Sequence, residues 1–458
     1  MNTFSDFALS VPDLLLPKNI DTASWSCIAC DQYTQDRNYW KEAEKAASGK
    51  PSALNLILPE VYLGDGDKES RIAGIQAAMK RYMDEGLFEE KHGFVYVERT
   101  TAFGRMRRGL VAAIDLDCYE WKPFSKALIR ATEATIPSRI PPRKAIRSGA
   151  PLEAPHIMLL VNDASDSLVA GTGKAVKASG AAPLYSGNLM MKGGSIKGWL
   201  VPESAEGAIL SSLEKIAESN TESDGSVFMF AVGDGNHSLA TAKAVWDEYK
   251  QRLGEEECKV SRVRYALVEI VNIYDAGLTF EPIHRVLFGA DAAELILRLT
   301  SQFGGEVVQC RSSEELENAV KKSSASFGFA STSGGKTSYT LLKTNISSLA
   351  VSAFQPVVDD YIAEKAKAGI DITIDYIHGD AETMHLGAEE GTTGILLPPI
   401  DKASFFATIE KNGPLPRKSF SMGEADEKRF YLECRKLFYR ESPRAAGTSP
   451  RADETHEN

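Results

Sequence analysis

Long apolar runs are missing from this chain of 458 residues. No segment approaches the roughly 18 to 20 consecutive apolar residues that a membrane-spanning helix needs. The first residues, MNTFSDFALSVPDLLLPKN, also lack the basic start of a secretory signal. We therefore expect a cytoplasmic protein with no membrane partner.

Cysteine is also scarce, with six residues spread over the chain at Cys27, Cys30, Cys118, Cys258, Cys310 and Cys434. That density is too low for a disulfide scaffold. Cys27 and Cys30 form a single CxxC, and no second CxxC or Cys/His pair at ligand spacing accompanies it, which argues against a zinc site. We expect two reduced, buried thiols there, and the sequence assigns no residue to a metal.

The chain also lacks an excess of positive charge, since its formal net charge is −11. Non-specific affinity for nucleic acid comes mainly from Lys and Arg that neutralise phosphates, so we expect no nucleic-acid partner. The hydrophobic content of 43% and charged content of 25% are ordinary for a globular protein. The length predicts at least two domains.

The stretch SVFMFAVGDGNHSLATAKAVWDEYK, residues 226–250, organises the chain. Residues 227–232 form an unbroken apolar run of strand length, typical of a strand that is covered on both faces. Gly233 and Gly235 break the run, and apolar residues at helical spacing follow as far as residue 249. This pattern predicts a central strand that passes through a tight glycine turn into a helix.

This glycine turn carries chemistry as well as shape. A helix start leaves backbone N–H groups unpaired at the positive end of the helix dipole, and at the carboxyl edge of a sheet it suits an anion such as phosphate. We expect Asn236 or Ser238 to cap the helix, while Asp234, His237, Ser238 and Thr241 add acid–base or hydroxyl groups. The alternative is a structural corner, in which Asp234 and Asn236 only satisfy the turn and His237 packs.

A second unusual stretch, LIRATEATIPSRIPPRKAIR at residues 128–147, is rich in cations. Its polar members are Arg130, Arg139, Arg143, Lys144 and Arg147, with Thr132, Glu133 and Thr135 among them. Arginine is the residue best matched to bidentate recognition of phosphate or carboxylate, so the stretch predicts an anion cradle. A solvated helix and turn with internal salt bridges is the equal alternative.

Two further loops are rich in polar groups. Asp31 lies in ACDQYT before a predicted helix, where it either caps the helix or contacts a ligand. Residues 413–438, GPLPRKSFSMGEADEKRFYLECRKLF, predict a polar loop followed by a terminal helix. That loop, with Lys418 and Ser421, either reaches back to the cleft or lies at the surface.

The remaining pattern defines the predicted fold. Apolar runs predict strands at residues 56–63, 93–99, 108–116, 155–161, 264–273 and 280–287, the second and third as a hairpin. From about residue 291, helices and short strands alternate as in a separate α+β domain. We predict an α/β (α+β) fold with an N-terminal α/β domain over residues 1–290, a smaller α+β domain over 291–440 and a disordered tail over 441–458.

Several segments together resemble one family from about residue 11 to 438. ACDQYTQDRNYW, LILPEVYL, LIRATEATIPSRIPPRKAIR, PHIMLLVND, AVGDGNHSLATAKAVW, EPIHRVL, IDYIHGD and LPRKSFSMGEADEKRFYLECRKLF occur in the order typical of a bacterial branch of the family catalogued as domain of unknown function 1015. Some members carry names borrowed from ParB chromosome-partition proteins. The glycine turn is similar to the DGHHR turn of the ParB and sulfiredoxin superfamily.

The resemblance implies a mixed sheet with a ParB/sulfiredoxin-like strand, glycine turn and helix. Free-serine kinases of that superfamily use such a turn to hold nucleotide phosphates, which implies nucleotide or phosphate binding at residues 233–238. This chain has Asn236 where the kinase turn has its first histidine, and Ser238 where it has a phosphate-binding arginine. Arg130, Arg139 or Arg143 would then have to supply that charge.

We therefore predict phosphoryl transfer to a small polar metabolite, for example serine or phosphoserine, with a nucleotide (ATP or ADP) and Mg²⁺. The predicted catalytic residues are Asp234, His237, Glu133 and Asp31, and the predicted nucleotide-binding residues are Gly233, Gly235, Asn236, Ser238, Thr241, Arg130, Thr132, Arg139 and Arg143. Two alternatives stay open. One is a ParB-like, nucleotide-dependent switch without a small-molecule product, and the other is a metal-dependent hydrolase that uses His156, His237, His284 and Asp234.

Overall fold

The computed structural model describes residues 2–439, so the tail predicted for residues 441–458 lies outside the described residues. The strands are β1 (Leu9–Ser10), β2 (Asp13–Pro17), β3 (Phe88–His92), β4 (Val95–Thr100), β5 (Met106–Asp115), β6 (Tyr119–Glu120), β7 (Ile129–Ala131), β8 (Leu152–Glu153), β9 (Met158–Val161), β10 (Tyr185–Asn188), β11 (Ser195–Leu200), β12 (Phe230–Asp234), β13 (Tyr265–Asn272), β14 (Phe280–Phe288), β15 (Glu306–Cys310), β16 (Ser326–Ser333), β17 (Lys336–Lys343), β18 (Thr373–His378), β19 (Thr392–Leu396), β20 (Phe420–Met422) and β21 (Arg435–Lys436).

The α-helices are α1 (Thr22–Trp25), α2 (Arg37–Ala47), α3 (Lys68–Asp84), α4 (Ile140–Arg147), α5 (Val169–Ala178), α6 (Glu206–Ser219), α7 (Asn236–Tyr249), α8 (Glu255–Val260), α9 (Ala292–Phe303), α10 (Ser313–Lys321), α11 (Ala350–Lys367), α12 (Asp380–Gly387) and α13 (Lys402–Asn412). Within residues 2–439, no helix has the length and apolar character needed to cross a bilayer. The predicted mixed α/β architecture is confirmed.

A large mixed sheet positions the glycine turn. Its strand order is β10-β11-β4-β5-β13-β9-β12-β7-β6, with β1 beside β5. Strand β12 is antiparallel to β9 and parallel to β7, and it is fully buried from Phe230 to Val232. The predicted central strand is thus confirmed, although regular pairing starts at Phe230 rather than at residue 227. The predicted hairpin is also confirmed as β4 and β5.

A second sheet follows β13. Its strand order is β15-β17-β16-β19-β14-β18, with β20 beside β14. Phe327, Phe354 and Leu342 are among the residues that form its buried core. Strand β14 ends at Phe288 and pairs with β18 and β19, so this sheet includes residues before position 291. The division into domains at residues 1–290 and 291–440 stays a prediction.

Two sequence predictions are wrong. Residues 56–63 do not form a strand but lie in two short 3₁₀ turns, Ala53–Leu56 and Glu60–Tyr62, separated by Pro59. Pro59 has no backbone N–H to donate to a sheet, which is the physical reason. Among the described residues after Gly413, there is no terminal α-helix, only β20, a 3₁₀ turn and β21.

The segment 428–437 instead runs extended through the N-terminal half. Its backbone exchanges hydrogen bonds with Leu15 through Cys434 (2.8 and 2.9 Å), and Tyr431 N–H donates to the carbonyl of Cys27 (2.8 Å). Arg429 and Arg435 are buried and form ion pairs with Glu269 and Glu153. These buried partners favour the extended course over a helix, and they bring this segment to the glycine turn.

Candidate functional site

The glycine turn joins β12 to α7. Gly235 has φ +81°, a left-handed conformation that glycine adopts without strain, and α7 begins at the next residue. A Cβ atom at this position would lie 3.2 Å from Cγ1 of Ile157 and 3.5 Å from Nε2 of His156. Both the backbone conformation and the close packing therefore require glycine here.

The predicted caps of α7 are wrong. Gly235 is the N-cap residue, and no side chain of the described residues caps the helix. The Asn236 side chain instead accepts a hydrogen bond from Thr132 N–H (3.3 Å) and donates one to Thr132 Oγ1 (3.3 Å). Thr132 Oγ1 also donates to the carbonyl of Val232 (2.5 Å). Thr132, which follows β7, thus forms hydrogen bonds to both β12 and the start of α7. The first backbone N–H groups of α7 have no acceptor within the helix.

These N–H groups lie at the wall of a cleft of about 680 Å³. The cleft is lined by residues of the turn, Gly233, Asp234, Gly235, Asn236, His237, Ser238 and Thr241, and by Asp31, Glu133, Arg139 and Arg143. Eleven of the thirteen predicted site residues, all except Arg130 and Thr132, therefore line this one cleft. Their roles remain proposals.

Helix α4 supplies the cationic wall. Arg143 Nε donates to Oε1 of Glu60 (2.9 Å), and its Nη1 donates to the carbonyl of Arg139 (2.8 Å). Arg139 is exposed, and it forms no ion pair within residues 2–439. Its guanidinium is therefore available to an anion in the cleft.

Arg130 lies elsewhere. Its Nη1 pairs with Glu222, its Nε donates to the carbonyl of Ala127 (2.9 Å), and its guanidinium stacks over the ring of Phe228 at 4.4 Å. These partners hold the side chain in the protein interior, 5% exposed, and it does not line the cleft. The structure therefore does not bring Arg130 to the predicted anion cradle.

Glu133 and Asp234 are two carboxyl groups of the cleft whose pKa values lie above the ordinary range. Burial raises the pKa of Glu133 to about 7, although the charge of Lys418 and the backbone N–H of Ser419 oppose the shift. Burial also raises the pKa of Asp234, against the charge of Lys428, whose Nζ lies 3.8 Å from Asp234 Oδ1. Oδ2 of Asp234 has no hydrogen-bond partner among the described residues.

Asp31 is the third carboxyl group, and it faces a histidine. Its Oδ2 lies 3.6 Å from Nε2 of His156. Burial opposes ionisation, but the charge of His156 and hydrogen bonds hold the pKa of Asp31 well below its usual range. The pKa of His156 is raised correspondingly, because Asp31 outweighs the effect of burial. The two groups therefore stabilise each other as an ion pair.

His237 is neutral at physiological pH. Burial and the neighbouring charges of Arg143 and Arg139 lower its pKa to about 4. Its Nε2 accepts from Ile136 N–H (3.3 Å), and Thr241 Oγ1 donates to its carbonyl (2.7 Å). The ring thus connects α7 to the loop before α4, which is close to the structural alternative considered for this residue.

Several cleft residues were not among the predicted site residues. His378, Lys428 and Tyr431 line the cleft, and so does His156, which was named only for the hydrolase alternative. Lys418 and Ser421 also line it, so the 413–438 loop reaches the cleft, as one of its two interpretations predicted. Burial and the positive charges of Lys418 and Lys428 lower the pKa of His378. The polar loop in LPRKSFSMGEADEK was the one sequence signal for this wall.

The described residues contain no group of three or more His, Cys, Asp or Glu side chains placed to hold a metal ion. His284, which the hydrolase alternative required, forms a hydrogen bond through Nε2 with Oδ1 of Asp380 (2.7 Å). Its Nδ1 accepts a hydrogen bond from Leu397 N–H (3.0 Å). It does not line the cleft. Cys27 and Cys30 are free thiols, and Cys27 is buried.

Solved structures provide weak similarities. A mutant of free serine kinase in complex with AMP is 12% identical, with 72% of this chain and 92% of that chain covered and a TM-score of 0.36. A conserved hypothetical protein from Pyrococcus furiosus is 14% identical, with 70% and 90% covered and a TM-score of 0.31. SbnI with C-terminal truncation from Staphylococcus aureus is 9% identical, with 68% and 82% covered and a TM-score of 0.33.

The search of curated proteins gave no match. A family model described as "Protein of unknown function (DUF1015)" matches residues 15–361, which is more than half of the chain. The chain therefore belongs to the DUF1015 family, as its sequence motifs predicted.

Proposed function

We propose that this protein is an enzyme of phosphoryl transfer that binds a nucleotide, ATP or ADP, and phosphorylates a small polar metabolite. One observation carries the proposal. The start of α7 opens into a cleft of about 680 Å³ that is also lined by Arg139 and by five acidic residues, among them Glu133 and Asp234. Phosphoryl transfer depends mainly on positioning and on neutralising charge, and this cleft offers groups for both.

The phosphate end of the ligand would lie at the glycine turn. The unpaired backbone N–H groups of Asn236, His237 and Ser238 supply donors, and the dipole of a 14-residue helix adds positive potential. Arg139 faces the same space without a competing carboxylate, whereas Arg143 is shared with Glu60. Arg139 is therefore the side chain best suited to the charge that the kinase-like turn lacks at Ser238.

Glu133 is the best candidate for the general base. A carboxyl group with a pKa of about 7 is half ionised at neutral pH and accepts a proton efficiently. In the proposed step, an acceptor hydroxyl loses its proton to Glu133 as its oxygen bonds to the terminal phosphorus. The bond from that phosphorus to the bridging oxygen breaks, and the shorter nucleotide leaves with the bonding electrons.

Mg²⁺ fits this site as a companion of the nucleotide. Mg²⁺ in nucleotide sites is bound by one or two carboxylates together with substrate phosphates. Asp234, with its unpartnered Oδ2, is the carboxylate that would hold the ion beside the turn. The ion would neutralise phosphate charge, and the charge of Lys428 opposes the rise in the pKa of Asp234.

The acceptor would occupy the part of the cleft beyond Glu133. Arg417 and Lys418 line the cleft, and the charge of Lys418 acts on Glu133, which favours an acceptor that carries a negative group. Serine carries one in its carboxylate, and phosphoserine is the product that its phosphorylation would give, so these are the first metabolites to test. Their choice rests on the family resemblance rather than on a specific contact.

A thermal-shift screen against ADP, ATP, CTP, pyrophosphate, serine and phosphoserine, with and without Mg²⁺, tests the proposal, because a ligand that binds only the folded state raises the melting temperature. Arg139→Ala should reduce every phosphate-dependent shift. Lys144→Ala is the matched control, since Lys144 lies on the same helix and pairs with Glu248 outside the cleft. Its shifts should equal those of the wild type.

Product formation separates the remaining outcomes. Incubation with nucleotide and each acceptor should yield a phosphorylated product that mass spectrometry detects. Nucleotide binding without any product would favour the nucleotide-dependent switch instead. No shift with any phosphate compound would overturn phosphate binding at the glycine turn.

A further inference from the structure

A buried histidine beside the glycine turn, His156, has one ring nitrogen without a hydrogen-bond partner among the described residues. His156 is 5% exposed and lines the cleft, and its Nε2 has no hydrogen-bond partner among the described residues. Buried polar atoms are usually paired, because an unpaired one loses its interactions with water. An unpaired buried nitrogen at a ligand-sized cleft therefore indicates a partner that arrives with the ligand.

The other ring nitrogen is fixed in place. Nδ1 of His156 lies 2.8 Å from the hydroxyl of Tyr431, and this hydroxyl accepts from Cys30 N–H (3.1 Å). When the hydroxyl donates its hydrogen to Nδ1, the neutral ring carries its own proton on Nε2. The protonated ring also carries a proton there, and Nε2 is thus a donor in both states.

The position of Nε2 matches the predicted phosphate site. A Cβ atom built on Gly235 would lie 3.5 Å from Nε2, at ordinary van der Waals distance, so Nε2 lies beside the backbone of the turn. Asp31 Oδ2, at 3.6 Å, is farther than an ordinary hydrogen bond, so Asp31 attracts the ring by charge and Nε2 keeps room for a closer acceptor. The donor and the first N–H groups of α7 therefore border the same space.

Charged groups surround the ring on each packed element. The acidic groups are Asp31 from the loop before α2, Glu60 from the 3₁₀ turn and Asp234 from β12. Lys428 interacts with Asp31 and Asp234, and Arg143 binds Glu60. The net effect raises the pKa of His156 in spite of its burial, because the surrounding carboxylates favour the imidazolium form.

We propose that His156 is an anion-binding residue of the nucleotide site, whose Nε2–H donates to a phosphate oxygen held at the glycine turn. The inference rests on the proposed function, because it requires a phosphate at that turn. It adds a pH dependence: binding is tighter when the ring is charged and weakens as rising pH removes the proton. Asp31 and Tyr431 act as positioning residues, the first by favouring the charge and the second by fixing the ring.

The test is isothermal titration of pyrophosphate and of ADP from about pH 5.5 to about pH 8.5. His156→Gln keeps a polar side chain of similar reach but cannot be charged. At low pH, we expect this variant to bind about tenfold more weakly than the wild type, the magnitude typical of a hydrogen bond to a charged group. The difference should shrink towards high pH, and ligand ionisation cancels because both proteins bind the same ligand.

Two controls keep the outcome interpretable. His92→Gln changes an exposed histidine that pairs with Asp13 and should behave as the wild type. Tyr431→Phe leaves His156 in place but removes the hydroxyl that fixes Nδ1, and we expect an intermediate loss of affinity. Melting temperatures of all variants confirm that they are folded.

The two proposals fail in different ways. Equal affinities and equal pH profiles for the wild type and His156→Gln would overturn the role of His156 and leave phosphate binding at the turn intact. Absence of binding by the wild type at every pH would overturn the proposed function together with this inference. A uniform loss in His156→Gln, unchanged across pH, would also overturn the charged donor.

Discussion

Lys428 Nζ lies 3.8 Å from Oδ1 of Asp234, where the extended segment 428–437 meets the glycine turn. The two side chains are only 8% and 14% exposed. Lys428 is therefore the nearest counter-charge for an acid whose burial otherwise disfavours ionisation. The extended C-terminal segment thus takes part in the electrostatics of a site that begins about 200 positions earlier.

Replacing Lys428 should weaken both the fold and the site. In Lys428→Met, Asp234 keeps its burial without a counter-charge, and breaking a buried pair costs about 3 kcal/mol of unfolding free energy. Urea denaturation at neutral pH measures this loss. The double variant Lys428→Met with Asp234→Asn should recover most of it, because the uncompensated charge is gone. Equal stability of the single variant and the wild type would contradict the pair.

Glu133→Gln should slow turnover strongly while leaving nucleotide affinity unchanged. Loss of a general base lowers kcat by about 10² to 10⁴. The wild-type rate should rise with pH and level off above about pH 7, because the base must be ionised. Glu218→Gln, an exposed carboxyl group on α6, is the matched control. Unchanged kcat in Glu133→Gln would remove Glu133 from the mechanism.

The same variant has a built-in check on folding. A carboxyl group whose pKa is higher in the folded state lowers stability as pH rises above its unfolded value. Glu133→Gln should therefore be at least as stable as the wild type at pH 8, as measured by urea denaturation. A rate loss in a variant of undiminished stability reflects chemistry rather than unfolding.

The sequence predicted the strand, glycine turn and helix because local signals determine them: an apolar run, two glycines and a helical period. The sequence also placed Arg139 and Arg143 in the predicted phosphate site, and both residues, which lie at and within α4, do line the cleft. It missed the course of residues 428–437, because Arg429 and Arg435 are held by Glu269 and Glu153, far away in sequence. Periodicity does not reveal such partners.

Arg130 illustrates the same limit. As a basic residue in a basic stretch it belonged with the anion cradle, but it is paired with Glu222, which is 2% exposed and 92 positions away. We therefore expect Arg130→Met to lower the unfolding free energy by about 3 kcal/mol and to leave phosphate affinity unchanged.

Arg139→Ala provides the contrasting variant for this prediction. Arg139→Ala should have the opposite pattern, with affinity lost and stability within about 0.5 kcal/mol of the wild type, as expected for an exposed side chain. Urea denaturation and titration with pyrophosphate measure both quantities. A loss of affinity in a folded Arg130→Met protein would return Arg130 to the ligand site.

His237 should make the protein less stable in acid. Its pKa is about 4 in the folded protein and about 6.5 when unfolded, so between these values the unfolded chain binds more protons. Stability therefore falls as pH decreases from 6.5 towards 4. Between pH 7 and pH 5, the contribution of this half-buried ring is about 1 kcal/mol after solvent screening.

The measurement is the unfolding free energy at pH 7 and at pH 5 for the wild type, His237→Gln and the exposed control His92→Gln. His237→Gln should lose less stability on acidification than the wild type, because glutamine does not titrate, while His92→Gln should follow the wild type. Removal of the hydrogen bond from Ile136 N–H affects both pH values equally, so it cancels in the difference. An identical acid loss in all three proteins would mean that His237 titrates normally, and the cationic wall of Arg139 and Arg143 would then lie farther from the ring.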